Sequence, residues 1–184
     1  MPLPLSRLFQ FTLLLLVATN VISCSSTVIV STPAATQQST FADPFAYCAS
    51  VGTIDTPDAR YTGPKMPEAI VKGLMKATNA PADAPLDVFV RNSFWRCMDG
   101  KVYACTVGAN LPCESKADTS QTPNEGMTNW CKSNPNTDFI PAVATGRETV
   151  YEWRCANGAP QIVKQVFTPD ARGFISDFWY AISQ

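Results

Sequence analysis

The sequence predicts an α+β domain: a small antiparallel β-meander sheet with two short helices, stapled by disulfides. Three observations carry this. The chain has seven cysteines and no histidine, and six of the cysteines, 48, 97, 105, 113, 131 and 155, fall in its folded part. Two stretches space their apolar residues as helices do. The rest is broken into short aromatic and β-branched runs bounded by turn residues, which is how strands read.

From the N-terminus, Arg7 is the only charge before an apolar stretch over residues 8–22 that contains Leu13, Leu14, Leu15 and Leu16. A basic start, an apolar core and small residues after it make a secretory signal, assigned to residues 1–23. The stretch is shorter than the ~20 apolar residues of a spanning helix. Residues 24–40 are small, polar and uncharged apart from Val28-Ile29-Val30. They bury too little to order themselves and read as a flexible tether. Residues 41–184 are long enough for one hydrophobic core, giving a single extracytoplasmic domain.

Within that domain, Ile70, Val71, Leu74 and Met75 have helical spacing, with Pro67 suited to the first turn. Gly73 costs that helix ~1 kcal/mol relative to Ala. Residues 79–87 read as a connector. Val88-Phe89-Val90 is expected to lead as a strand into Phe94-Trp95-Arg96-Cys97, with Val102-Tyr103-Ala104-Cys105 returning. A second helix is expected from Thr122, as cap, to Asn134, with Pro123 in its first turn and Glu125 completing a capping box. Strands are expected at 149–155, 161–167 and 174–182, forming a three-stranded meander.

Two segments share a pattern: Trp95-Arg96-Cys97-Met98-Asp99-Gly100 and Trp153-Arg154-Cys155-Ala156-Asn157-Gly158. Asp-Gly and Asn-Gly favour two-residue hairpin turns because both positions need positive φ. Strand alternation then puts Trp and Cys on one face and Arg on the other. Pro160 falls opposite Cys155 in a pair that does not need its missing N–H. The match is short and favours independent use of one hairpin solution over an internal duplication. Arg96 and Arg154, expected on the solvent side of neighbouring strands, are candidate ligand-binding residues for a carboxylate or sugar acid, or partners of nearby acids such as Glu152.

An even cysteine count in an exported domain argues for three disulfides rather than a metal site, since no CxxC pair occurs. Six cysteines allow fifteen pairings. Cys113–Cys131, closing a polar stretch, is the favoured one and would contribute about 3 kcal/mol. The chain holds 14 basic and 15 acidic residues without a basic patch, so nucleic acid is not an expected partner. Without histidine there is no Ser-His-Asp or Cys-His catalysis and no His-ligated zinc. No phosphate loop or dinucleotide motif is present, so no cofactor or metal is expected. Carboxylate-only hydrolysis is left, with Asp99, Asp118, Glu148, Glu152, Asp170 and Asp177 as candidates. Segments 60–64 and 108–112 are loops with possible surface roles.

Val21-Ile22-Ser23-Cys24 resembles the lipobox of bacterial lipoproteins, which implies a diacylated Cys24 as mature N-terminus and a membrane partner through that lipid. Plain secretion or a retained anchor are the other readings of the leader. Ser25 after the cysteine permits outer-membrane sorting by the same analogy. Residues 94–182 resemble a domain of exported bacterial proteins without assigned activity. The likeness is carried by Trp95-Arg96-Cys97-Met98-Asp99-Gly100, Gly108-Ala109-Asn110-Leu111-Pro112-Cys113, Lys116-Ala117-Asp118 and Arg172-Gly173-Phe174-Ile175. Trp153-Arg154-Cys155-Ala156-Asn157-Gly158 is also similar to the aromatic-x-Cys-x-x-Gly hairpin of periplasmic lysozyme inhibitors. The chain lacks their Ser-Gly-x-Arg-Tyr loop and has more cysteines, so no inhibitory residue carries over. The expectation is a lipid-anchored, non-enzymatic binding module of the cell envelope, for an envelope polymer or a protein. The alternatives are an inhibitor of a wall-degrading enzyme and a carboxylate-dependent hydrolase.

Overall fold

Residues 39–81, 83–108 and 111–184 are described in a computed structural model of the chain. Cys24, the leader and nearly all of the expected tether lie outside the described residues. The elements in order are α1 (Pro44–Val51), α2 (Glu68–Ala77), α3 (Leu86–Asn92), β1 (Ser93–Met98), β2 (Lys101–Thr106), α4 (Glu125–Ser133), α5 (Ala142–Thr145), β3 (Tyr151–Ala156), β4 (Ala159–Gln165) and β5 (Tyr180–Ile182), with a 3₁₀ turn at Ser176–Phe178 before β5. The α+β class and the three disulfides are as expected, with more helices than the two foreseen.

The strands form two separate antiparallel sheets, β1-β2-β5 and β3-β4. Both predicted hairpins are present. Asp99 and Gly100 have φ of 51° and 76°, and Asn157 and Gly158 have 53° and 80°, as a tight turn with two left-handed residues requires. Pro160 pairs with Cys155, and the Cys155 N–H instead donates to Thr137 O at 2.8 Å.

The likeness between the hairpins extends well beyond their turns. Cys97 bonds to Cys48 on α1, and Cys155 bonds to Cys131 on α4. The residues four, five and six places after Cys48 and after Cys131 make matching bonds. Gly100 N donates to Gly52 O and Gly158 N to Pro135 O, both at 2.9 Å. Thr53 Oγ1 accepts from Asp99 N, and Asn136 Oδ1 accepts from Asn157 N, both at 3.0 Å. Cys97 N donates to Ile54 O as Cys155 N does to Thr137 O. The domain therefore holds two helix–hairpin units with one bonding scheme, which is more than the shared hairpin that the short sequence match favoured.

Each disulfide sits in its own apolar cluster. Tyr47, Ile70, Leu74, Trp95, Val102 and Ile182 surround Cys48–Cys97. Met127, Ile140 and Trp153 surround Cys131–Cys155. Phe174 and Trp179 pack on Cys105–Cys113 across the other face of the first sheet. Gly73 has its own reason: a Cβ there would stand 2.4 Å from Ile182 Cγ2, so its absence lets β5 lie against α2.

Several expectations are corrected. Cys113 pairs with Cys105, not Cys131, because α4 packs on the second hairpin and brings Cys131 to Cys155. Residues 88–90 are helical: Pro85 starts α3, and Asp87 and Arg91 pair one turn apart at 2.7 Å, a helix-stabilising spacing. The α4 cap is Asn124, whose Oδ1 accepts from Met127 N at 2.8 Å, while Thr122 N donates to Ser120 Oγ. Residues 174–182 are not one strand. The 3₁₀ turn interrupts them, and β5 joins β2 rather than extending a meander from β4. Arg96 and Arg154 thus stand in different sheets, not on neighbouring strands.

Candidate functional site

A cleft of about 850 Å³ opens among the described residues, within the usual range of ligand sites. Four stretches build it: the loop after α1, the junction of α3 and β1, Cys113 with Glu114, and the C-terminal residues Phe174 and Trp179.

Its floor is aromatic. Tyr61 and Trp95 meet edge-to-face with centroids 4.8 Å apart, and Tyr47 lies behind both at 5.4 and 6.0 Å. Trp95 Nε1 donates to Lys65 O at 2.8 Å, which fixes the loop to the hairpin. Two aspartates stand at the mouth. Asp55 receives Arg172 Nε at 2.9 Å and Lys116 Nζ at 2.8 Å. Those hydrogen bonds, Arg172 first, hold its pKa down to about 2. Asp58 receives Arg60 through a two-pronged contact, which likewise lowers it to about 2. Both are ionised acceptors at any pH near neutrality.

The far wall is held by Arg96. This residue is 1% exposed, which corrects its expected place on the solvent side. The C-terminal segment covers that face of β1. The Arg96 guanidinium lies 4.4 Å from the Phe174 ring centroid and 4.3 Å from that of Trp179, and its Nη2 pairs with Asp170. Burial pushes the Asp170 pKa up, but hydrogen bonds from Arg96 and from the Arg172 and Phe174 backbones outweigh it and leave it lowered. A cation between two aromatic faces and beside a carboxylate is well compensated in a low-dielectric setting.

Buried polar atoms without partners are rare in native proteins, and each calls for an explanation. Among the described residues they are Tyr61 Oη, Ser93 Oγ, Arg96 Nε and Nη1, Trp130 Nε1 and Trp179 Nε1. All but Trp130 belong to residues that line the cleft or, for Arg96, stand directly behind its wall. Ser93 and Trp179 are each 8% exposed.

The second unit has a cleft in the matching place, about 580 Å³, between the segment after α4 and the start of β3. It differs in chemistry. Phe139, Ile140, Pro141 and Val143 make it apolar, and Phe139 and Val143 are 60% and 88% exposed.

Of the sequence candidates, Arg154 is exposed on the second hairpin and donates to Gln161 Oε1 at 3.2 Å. The six candidate carboxylates are not brought together. Asp99 is in the first hairpin turn beside Thr53, and Asp118 accepts from Ser120 N. Glu148 accepts from Asp118 N through its backbone. Glu152 faces Lys164 at 3.4 Å, and Asp177 accepts from Thr168 N. None of the six lines the first cleft; Asp170 is committed to Arg96 behind its wall. Sequence reading missed Asp55, Ser93 and the orphaned indole of Trp179. The 60–64 loop it did single out supplies Tyr61.

Comparison with family models, curated proteins and solved structures finds no match to this chain. Among the described residues no helix is long and apolar enough to cross a membrane. The three disulfides belong to an oxidising, extracytoplasmic setting.

Proposed function

We propose that this chain is an extracytoplasmic, non-enzymatic binding module, anchored to an envelope membrane by lipid on Cys24, whose ligand sits in the aromatic cleft of the first unit. The observation that carries the reading is the gathering of orphaned polar atoms around that cleft, because a ligand supplies the partners they lack. The lipobox-like leader and the disulfides support the compartment. The carboxylate-hydrolase reading gains nothing from the cleft: a general acid needs a raised pKa, and Asp55 and Asp58 are lowered to about 2 by their cations. The inhibitor reading draws on a different observation, the exposed Phe139 and Val143 beside the second hairpin, an apolar rim of the kind protein partners cover.

The test is retention of the purified mature chain on isolated envelope fractions. Wild type should be retained, Ser93→Ala and Trp179→Phe should be lost, and Arg154→Ala should be retained. Retention indifferent to the first two substitutions but abolished by Phe139→Ser would replace this reading with the inhibitor one. Intact mass of the protein from its host checks the anchor: lipid on Cys24, and six thiols appearing only after reduction.

A further inference from the structure

The cleft's chemistry narrows what it takes. The orphaned groups of its lining can all donate: Trp179 Nε1 can only donate, while Ser93 Oγ and Tyr61 Oη can do either. A partner must therefore bring oxygen acceptors to the depth of the cleft.

Charge gives no reason for those acceptors to be a carboxylate or phosphate. Arg96, the one buried cation among the described residues, is already matched by Asp170. Asp55, Asp58 and Glu114 stand around the opening, and the two aspartates stay ionised. Lys65 and Arg91 also line the cleft, but Arg91 is paired with Asp87, so the charges around the opening nearly balance and do not select an anion.

A wholly apolar ligand fits no better, since it would bring no acceptor to the buried donors and forgo the hydrogen bonds a polar ligand makes. What remains is a neutral molecule with acceptor oxygens at one end, donor hydroxyls at the other and an apolar face between. Its oxygens meet Ser93, Tyr61 and Trp179. Its hydroxyls donate to Asp55 and Asp58, whose pairing with Arg172, Lys116 and Arg60 fixes them as acceptors. Its C–H face lies on the half-buried rings of Tyr61 and Phe94.

We propose that the cleft binds a neutral saccharide. This rests on the reading of the cleft as the ligand site and adds the ligand's class. Trp179 and Ser93 are the contact residues. Arg96, clamped on the Trp179 ring, is a positioning residue.

The experiment titrates the mature chain with N-acetylglucosamine tetramer and maltotetraose as neutral probes, and with laurate and a glutamate tetrapeptide as anionic ones, following intrinsic tryptophan fluorescence and binding heat. At least one neutral oligosaccharide should saturate. Trp179→Phe, which keeps the ring and removes the N–H, should weaken it roughly three- to tenfold, as should Ser93→Ala, the usual effect of one lost hydrogen bond. Arg154→Ala should leave it unchanged. Circular dichroism of both variants confirms that they fold. If neither neutral probe binds, or if binding ignores both substitutions, the saccharide proposal is overturned. If laurate or the peptide binds instead and is weakened by the same substitutions, the saccharide is wrong and the cleft is right. If envelope retention is also unaffected by them, both fall.

Discussion

The two helix–hairpin units share a skeleton and differ in what lies over it. Each has a helix, a disulfide to the hairpin, a three-residue bracket after the helix and a Trp-Arg-Cys strand. In the first unit β5 adds a third strand, and the C-terminal segment buries Arg96. In the second, no further strand among the described residues joins β4, and Arg154 is exposed. The difference lies at one edge position. Val102 and Pro160 are equivalent, each paired with the hairpin cysteine. Because Cys97 bonds outward to Ile54, the Cys97–Val102 pair is the non-bonded kind, and Val102 turns its own N–H towards Ile182 of β5. Pro160 has no N–H to offer there. A register shift between Glu152 and Trp153 and the charge of Lys164 further blunt that edge, as natural sheets do. Identical turns thus set the local skeleton, and the edge decides which hairpin is built into a wall and which stays open.

The largest expected contrast is between the arginines. Arg96→Ala leaves Asp170 as an uncompensated buried charge and should destabilise by ~3–5 kcal/mol. Arg154→Ala should stay within ~0.5 kcal/mol. Urea unfolding with the disulfides intact measures both. Replacing the pair together, Arg96→Met with Asp170→Leu, should recover much of the loss, since buried ion pairs often exchange for apolar residues at little cost. Equal losses for the two single arginine variants would remove the distinction between the units. The same clamp sets an acid limit. Asp170 and Asp55 have lowered folded pKa values, so their contribution is complete above the unfolded pKa near ~4 and is lost as pH falls towards about 2 for Asp55. Hydrogen exchange at low pH should open residues 168–182 before the second hairpin.

Next come the disulfides. The two unit bridges close loops of sequence separation 49 and 24, and Cys105–Cys113 one of 8. Chain entropy then ranks their loss at about 4, 3.5 and 2.5 kcal/mol. Paired Cys→Ser variants of each bridge test the order. A reversal between the first two would mean that packing around α1 and α4, not loop closure, separates the units.

What the sequence made legible follows the same division. The α+β class, both hairpins and the partner of Pro160 were readable because turn chemistry and strand alternation are local. Cys113–Cys131 was misread because spacing along the chain says nothing of which hairpin a helix lies on. Residues 88–90 are β-branched and aromatic like a strand, yet Pro85 and the Asp87–Arg91 pair make a helix of them. The Arg96 burial was invisible because its covering residues, Asp170, Phe174 and Trp179, are far along the chain. For the same reason the cleft, assembled from four separate stretches, was not legible as one site: Tyr61 and its loop read as surface, and Phe94 and Trp179 read as core.

A smaller effect sharpens the edge argument. Pro160→Val restores an outward N–H to β4 while leaving the pair with Cys155 intact. Stability should change by less than ~1 kcal/mol, the scale of strand propensity. Association should change more, because an unblunted edge is a template for another strand. Sedimentation should show a concentration-dependent dimer in the variant and not in the parent. Val102→Pro makes the converse test: the hydrogen bond to β5, worth roughly 1 kcal/mol, is lost, and β5 should exchange its amides faster.

The smallest prediction bears on whether the units are one design used twice. Thr53 and Asn136 occupy the same place after their helices and cap the same N–H, that of the first turn residue, at the same 3.0 Å. The acceptors differ, a hydroxyl and an amide, but each is exposed and neutral, so each bond should contribute about 0.5–1.5 kcal/mol. Thr53→Ala and Asn136→Ala should therefore destabilise equally, within the ~0.5 kcal/mol that separates independent sites, although what lies over the two units differs. The double variant should show the sum, because the two caps belong to separate apolar clusters with no shared partner. A loss confined to one of them would show that the bracket matters only where the C-terminal wall leans on it, and the two units would be alike in shape but not in how they are held.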